Sequence, residues 1–222
     1  DSALLSRELV KLREAPLPLG PKDCSVREID PEELRRVLEE LEFKSILAEL
    51  KLAEKKAQEP RYELVLTEEA FAKVLEKISS AEEFALDLET TSEDPLSAEI
   101  VGIAISVEPY HGYYIPVAHR YRGAPEQLSL ERVLSALKPF LSAEKPKKIG
   151  QNLKYDLQVL LNYGIEVRGV AFDAMIAHWL LWPDAPSHSL ETIAREELGV
   201  QVQTYRELLA QGGEREIREV PV

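Results

Sequence analysis

Two carboxylates stand at alternate positions in an apolar stretch, residues 84–92, which reads FALDLETTS. Residues two apart in a β-strand point to the same side, so Asp87 and Glu89 are expected together on one face of a sheet. Leu86 and Leu88 would then enter the core. Two like charges this close repel each other unless a cation lies between them, and hard divalent ions prefer carboxylate oxygens. The stretch therefore predicts half of a metal site, and the alternative is an edge strand with a solvated acidic face.

A second candidate segment lies at residues 150–157, GQNLKYDL, where a short strand passes into a helix. Asp156 falls in the first turns of that helix, so its carboxylate can point toward the end of the sheet. Asp87 and Glu89 are expected at the same end, and the three carboxylates can then converge. Taken alone, this segment favours an ordinary helix cap followed by a packed tyrosine, and only its combination with Asp87 and Glu89 favours a metal site.

The elements that would carry these segments form a mixed α/β pattern after residue 61. Alternating or β-branched segments predict strands at residues 62–66, 84–90, 100–107, 112–117 and 147–150. Apolar residues at helical spacing predict helices at residues 67–78, 129–141, 153–163, 173–182, 189–198 and 204–210. Short connections between the second, third and fourth strands predict an antiparallel meander. This order resembles the mixed sheet flanked by helices of ribonuclease H-like nucleases.

Residues 1–60 differ from the rest of the chain and predict an N-terminal helical appendage. Leucines at helical spacing indicate a helix over residues 1–13, which is followed by a segment rich in proline. A second helix is expected from an N-cap at Asp30 through Leu50. Residues 51–60 have the composition of a solvated helix end and linker. We interpret the segment as the tail of an upstream module, with a second domain over residues 61–222.

Composition limits the possible functions. The chain has 222 residues, 45% of them hydrophobic, and a net charge of -13, which argues against a broad basic surface for nucleic acid. Any DNA contact is therefore expected to be local. Cys24 is the only cysteine, so the chain can build neither an intrachain disulfide nor a thiolate zinc site. No apolar run approaches the roughly 20 residues that span a bilayer, and the N-terminus lacks the basic-then-apolar pattern of a signal peptide, so a cytoplasmic location without membrane partners is expected.

The two acidic segments together resemble the 3′→5′ exonuclease domain of bacterial family A DNA polymerases. Residues 87–90, DLET, are similar to the first motif of that family, and residues 151–156, QNLKYD, to its second. The similarity continues through FDAM at residues 172–175 and AREELG at residues 194–199. Upstream, residues 41–47, LEFKSIL, resemble the segment that joins the 5′ nuclease domain to the exonuclease domain.

The resemblance implies a two-metal-ion hydrolysis of the 3′-terminal phosphodiester of DNA, which releases nucleoside monophosphates. Two Mg²⁺ or Mn²⁺ ions would be held by Asp87, Glu89 and Asp156, with Asp87 bridging them. The residues that would position the unpaired 3′ end of the DNA are Thr90, Gln151, Asn152, Tyr155 and Tyr205. The implied partners are the DNA 3′ end and the polymerase and 5′ nuclease domains of the same parent chain.

Two departures from the family pattern affect these expectations. Glu93 stands where relatives carry a leucine that wedges against the terminal bases, and Leu96 or the 93–97 loop could replace it. The third family motif, Tyr-x-x-x-Asp, has no match after Tyr205. We therefore expect a domain that is incomplete at its C-terminus, with an incomplete metal site and little activity alone. Asp173 could be proposed as the missing carboxylate, but it begins a helical pattern and is expected to be an N-cap.

Two alternatives to proofreading stay open from the sequence. One is a non-catalytic spacer of the same fold that separates a polymerase from a 5′ nuclease, although the three acidic residues argue against it. The other is a 3′ exonuclease of the ribonuclease D kind that acts on RNA, which the upstream linker-like segment disfavours. The histidines are not expected to be catalytic: His178 lies in an apolar context, and the other three lie near loops without a nucleophile partner.

Overall fold

The computed structural model describes residues 2–12, 20, 30–41, 43–50, 60–203, 207 and 216–222. The chain divides into two compact units, Asp1–Ala53 and Glu54–Val222. The first contains helices α1 (Ser2–Leu9), α2 (Pro31–Glu40) and α3 (Lys44–Glu49). The predicted N-cap of α2 is confirmed, since Asp30 accepts hydrogen bonds from the backbone N–H groups of Glu32 and Glu33.

The N-terminal region departs from the expected helices at one place. The single helix predicted from Asp30 to Leu50 was wrong, because α2 ends at Glu40 and α3 begins at Lys44. The predicted linker at residues 51–60 and Cys24 lie outside the described residues, apart from Pro60. The domain boundary at residue 60 stays a prediction.

The second unit is organised around a six-stranded mixed sheet in the order β1-β4-β3-β2-β5-β6. Its strands are β1 (Arg61–Leu64), β2 (Glu83–Thr90), β3 (Ile100–Glu108), β4 (His111–Pro116), β5 (Lys147–Gly150) and β6 (Val170–Asp173). The meander prediction is confirmed, because β2 pairs antiparallel with β3, and β3 with β4. The other neighbouring strands pair in parallel. The acidic strand β2 is internal, so the alternative of a solvated edge strand was wrong.

Helices follow the strands as α4 (Glu68–Ser80), α5 (Leu130–Leu141), α6 (Leu153–Asn162), α7 (Ala174–Leu181) and α8 (Leu190–Ile193). A π-helical segment continues α8 over Ala194–Leu198, and a short 3₁₀ helix spans Ile217–Glu219. Strand β6 was not predicted, and most of the helix predicted at residues 204–210 lies outside the described residues. Among the helices in the described ranges, none combines the length and apolar character needed to cross a bilayer.

The main hydrophobic core lies against one face of the sheet. Leu86 and Leu88 of β2 pack there with Phe71 of α4, Leu137 of α5 and Val159 of α6. Each of these side chains is at most 7% exposed, and burying one stabilises the fold by about 1.5–3 kcal/mol. Because side chains alternate along β2, the packing that buries these leucines turns Asp87, between them, and Glu89, after them, to the opposite face.

Candidate active site

The two carboxylates of β2 lie beside the smallest side chains of β3. Asp87 pairs with Ala104, and Glu89 pairs with Gly102, so each acidic residue faces a methyl group or a hydrogen atom across the ladder. Ala104 pairs in turn with Tyr114 of β4. Directly paired residues share a face of the sheet, so Gly102 and Ala104 leave space above β3 beside the carboxylates.

Asp156 reaches the same strand from the first turn of α6. Its Oδ1 accepts a hydrogen bond of 3.0 Å from the backbone N–H of Leu88. That nitrogen belongs to the peptide bond that follows Asp87, which brings the third carboxylate next to the acidic pair. The N–H is available because β5 pairs with β2 only as far as Ala85. Asp156 is only 3% exposed.

A fourth acidic residue, Asp173, fixes the helix that carries Asp156. Its Oδ1 accepts hydrogen bonds from the N–H groups of Asn152 at 3.1 Å, Met175 at 2.9 Å and Ile176 at 3.3 Å. Its Oδ2 accepts one of 2.8 Å from Leu153. The N-cap predicted for Asp173 is confirmed, and the same carboxylate also holds the start of α6. Asn152 has a left-handed φ of 59° and makes no side-chain cap of its own.

Replacing Asp173 with alanine is therefore expected to lower the free energy of unfolding by about 3 kcal/mol, because two helix starts lose their acceptor together. Ser129→Ala is the matched control, since Ser129 caps α5 through a single 3.3 Å bond from Arg132 and should cost only about 1 kcal/mol. Urea denaturation measures both values. Equal losses in the two variants would show that Asp173 stabilises only one helix.

The three candidate ligands have raised pKa values. Burial raises the pKa of Asp156 to about 7, and the charge of Asp87 adds to the effect. Burial and the charge of Asp87 likewise raise the pKa of Glu89 to about 7. Asp87 keeps solvent contact in a groove of about 430 Å³, but the surrounding protein still desolvates it and raises its pKa to about 6. Since each carboxylate is poorly solvated and two of them feel Asp87, a cation placed among them would relieve the repulsion.

The chemistry of this donor set fits a hard divalent cation, because all three side chains offer carboxylate oxygens and none offers sulfur. Within the described ranges, however, no three or more His, Cys, Asp or Glu side chains form a group able to hold a metal ion. Metal binding by Asp87, Glu89 and Asp156 therefore stays a prediction.

The predicted substrate-binding residues that the structure describes belong to the two segments that carry the acidic residues, and two of them are bonded to each other. The hydroxyl groups of Thr90 and Tyr155 are 2.5 Å apart, and Tyr155 also donates to the Ser92 carbonyl. The Gln151 side-chain amide donates a 3.1 Å bond to the carbonyl of His188. Of the two remaining predicted residues, Asn152 accepts a side-chain hydrogen bond from Lys154. Tyr205 lies outside the described residues.

The sequence interpretation missed one group beside the acidic residues. The hydroxyl of Tyr114 lies 2.6 Å from Nε2 of His119, whose Nδ1 lies 2.9 Å from the carbonyl oxygen of Val220. His119 is buried, at 7% exposed. The available signal was the alternation of small residues at Gly102 and Ala104 along β3, which leaves room for a large neighbour on that face.

The chain matches one protein family along most of its length. The family model described as 3′-5′ exonuclease matches residues 62–220. DNA polymerase I of Pseudomonas aeruginosa is 36% identical over 226 aligned residues, which cover 96% of this chain and 25% of that protein. DNA polymerase I of Chloroflexus aurantiacus is 34% identical, with 77% of this chain and 18% of that protein covered. The chain thus spans about a quarter, or less, of these curated relatives.

Two solved structures share the fold at low sequence identity. The POL domain of Pol1 from M. smegmatis, in complex with DNA primer-template and dNTP, aligns with a TM-score of 0.53 and 21% identity, over 66% of this chain and 24% of that one. Trypanosoma brucei RNase D aligns with a TM-score of 0.56 and 16% identity, over 72% and 56% of the two chains. The expected ribonuclease H-like mixed sheet flanked by helices is confirmed. The chain belongs to the 3′-5′ exonuclease domain family of family A DNA polymerases.

Proposed function

We propose that this chain is a 3′→5′ proofreading module of a DNA polymerase I, which hydrolyses the 3′-terminal phosphodiester of DNA and releases nucleoside monophosphates. The observation that carries the proposal is the bond between Asp156 and the backbone N–H of Leu88. It joins two acidic motifs, 68 residues apart in the sequence, at one end of the sheet. The raised pKa values of all three carboxylates support it, since acids with perturbed pKa values are often grouped at functional centres.

In this proposal Asp87, Glu89 and Asp156 would hold two Mg²⁺ or Mn²⁺ ions through their carboxylate oxygens. When bound, such ions activate water at neutral pH and stabilise the attacking and leaving oxygens of a phosphodiester. The protein contributes a fixed arrangement of acceptors. The Leu88 peptide orients Asp156, and Asp173 holds the helix start from which Asp156 projects.

The 3′ end of the DNA is proposed to lie along the side of the site formed by Thr90 and Tyr155. Their hydroxyl groups bind each other, so a phosphate or sugar hydroxyl would meet a preformed pair of polar groups. Gln151, Asn152 and Tyr205 complete the proposed set. Leu96 of the 93–97 loop is 76% exposed, so its apolar side chain is free to contact a terminal base in place of the leucine that Glu93 replaces.

The larger context of this module is also a proposal. Residues 1–60 are assigned to a helical tail from a 5′ nuclease module, and residues 61–222 to the exonuclease domain. With a net charge of -13, the chain has little electrostatic attraction for DNA, so a polymerase domain of the same parent protein would deliver the substrate.

Nucleotide release from a 5′-labelled single-stranded DNA tests the proposal. With the protein in excess and Mg²⁺ or Mn²⁺ present, the DNA should shorten one nucleotide at a time from its 3′ end, and EDTA should abolish the reaction. Turnover is expected to be slow, because the sequence has no match to the third family motif after Tyr205. An RNA of the same sequence serves as comparison.

Three other results would contradict the proposal in different ways. Faster shortening of RNA than of DNA would indicate a ribonuclease D-like activity. Shortening that is independent of metal would exclude the proposed role of the carboxylates. If both the DNA and the RNA stay intact after prolonged incubation, the result would favour the non-catalytic spacer.

A further inference from the structure

Tyr114 extends across the sheet toward the acidic pair. Its backbone lies in the row of Asp87, through Ala104, but its ring leans over Gly102, which pairs with Glu89. A Cβ atom at Gly102 would overlap the Tyr114 hydroxyl oxygen. Neighbouring strands are about 4.8 Å apart, so this oxygen lies roughly one strand spacing from the β2 backbone at Glu89.

The hydrogen-bond partners of His119 determine where the Tyr114 proton lies. The Val220 carbonyl can only accept, so the His119 Nδ1 must carry a hydrogen and donate it. In the neutral imidazole, Nε2 is then an acceptor, and Tyr114 must donate its hydroxyl proton to it. Burial lowers the pKa of His119, which keeps the ring neutral. The Tyr114 oxygen is thus left with only its lone pairs for any group on the acidic side.

The position of His119 is itself fixed from two directions. Its backbone N–H and carbonyl form bonds of 2.9 and 2.8 Å with the side-chain amide of Gln127. The segment that supplies the Val220 carbonyl is anchored where Ile217 and Val220 pack on Val101 of β3. These contacts hold the imidazole in place, so the phenol it orients has little freedom to turn away.

We propose that Tyr114 is a positioning residue of the acidic site. Its phenol group donates its proton to His119, and its oxygen accepts a hydrogen bond from a water molecule bound beside Asp87 and Glu89. The inference rests on the proposed nuclease function. It assigns to His119 an indirect role through Tyr114, and it explains why β3 carries Gly102 where Tyr114 crosses.

Tyr114→Phe tests this role against a matched control. Tyr113→Phe makes the same chemical change on the same strand, but Tyr113 is buried on the core face, with its hydroxyl 3.3 Å from His111. With the 222-residue chain and a single-stranded DNA, Tyr114→Phe should lower kcat about tenfold at unchanged KM, as the loss of one oriented hydrogen bond predicts. Tyr113→Phe should stay within about twofold of the wild type.

A spectroscopic measurement provides a readout besides activity. In nitrogen-15 spectra of the histidine side chains, His119 should be in the Nδ1–H form, and Mg²⁺ should shift its Nε2 signal in the wild type. In Tyr114→Phe that shift should disappear, because the link to the acidic site is cut. Gly102→Ala displaces the phenol without removing it. This variant should show the same lower kcat and the same missing Mg²⁺-induced shift, so it tests whether the position of the phenol matters as well as its presence.

Different outcomes would overturn the role of Tyr114 and the proposed nuclease function. An active wild type in which Tyr114→Phe and Tyr113→Phe behave alike, or in which Mg²⁺ shifts His119 equally in both, would overturn the role of Tyr114 alone. A wild type with neither nuclease activity nor any response of His119 to Mg²⁺ would overturn the nuclease proposal and this inference together.

Discussion

Asp156→Asn is expected to reduce metal-dependent nucleotide release to the level seen with EDTA, and to weaken Mn²⁺ binding at least about 10- to 100-fold, the range found even for residues that only support metal ligands. Asparagine keeps the size of the side chain and can still accept the bond from the Leu88 N–H. The substitution removes the negative charge, which is the property that a divalent cation requires. Calorimetric Mn²⁺ titration and the labelled DNA assay measure the two effects.

Asp184→Asn provides the control for this experiment. Asp184 is exposed in the segment between α7 and α8, so the same substitution there should change neither Mn²⁺ affinity nor nucleotide release. If Asp156→Asn binds Mn²⁺ as tightly as Asp184→Asn does, Asp156 is not a metal ligand. The acidic cluster would then need a different explanation.

The second large effect concerns stability in the absence of metal. The pKa of Asp156 is about 7 in the folded protein, compared with an ordinary value of 3.8. Between these values the folded protein holds a proton that the unfolded chain has released, so the stability contributed by this proton falls as the pH rises from about 4 to 7. Asp156 alone can account for at most about 4 kcal/mol. Glu89 acts in the same direction, and the solvent-exposed Asp87 more weakly.

The difference between Asp156→Asn and the wild type isolates this effect. His119 has a lowered pKa and changes stability in the opposite direction near its titration, but it contributes equally to both proteins and cancels. In EDTA, urea denaturation should show that the amide variant gains stability relative to the wild type between pH 5 and pH 8. Mg²⁺ at pH 8 should stabilise the wild type and not the variant. A difference that is constant with pH would show that Asp156 titrates normally.

The fold could be predicted to the extent that it depends on local patterns. Alternation along β2 placed Asp87 and Glu89 on one face, and the strand-to-helix junction placed Asp156 in the first turn of α6. Strand β6 was missed because it has only four residues, three of them exposed, and so lacks the alternation that marks a half-buried strand. The break between α2 and α3 was missed because apolar residues continue across it at nearly helical spacing.

The remaining parts of the site depend on contacts between residues far apart in the sequence. The His119–Val220 bond spans 101 residues, and the bond between Asp173 and Asn152 spans 21. The pattern of apolar residues within one helix or strand does not predict a hydrogen-bond partner in a distant segment. The crossing of Tyr114 over Gly102 depends on the register of three strands, which hydrophobic alternation limits but does not fix. The sequence alone therefore does not predict these contacts.

The bond pattern of Asp173 also has a consequence for how the domain can come apart. Its single carboxylate accepts from the first N–H groups of both α6 and α7, so neither helix can fray at its N-terminus without weakening the other. Opening there would be a concerted event that releases the segment bearing Asp156 at the same moment. Amide hydrogens at the two helix starts should therefore exchange with solvent at matching rates, as members of one cooperative unit.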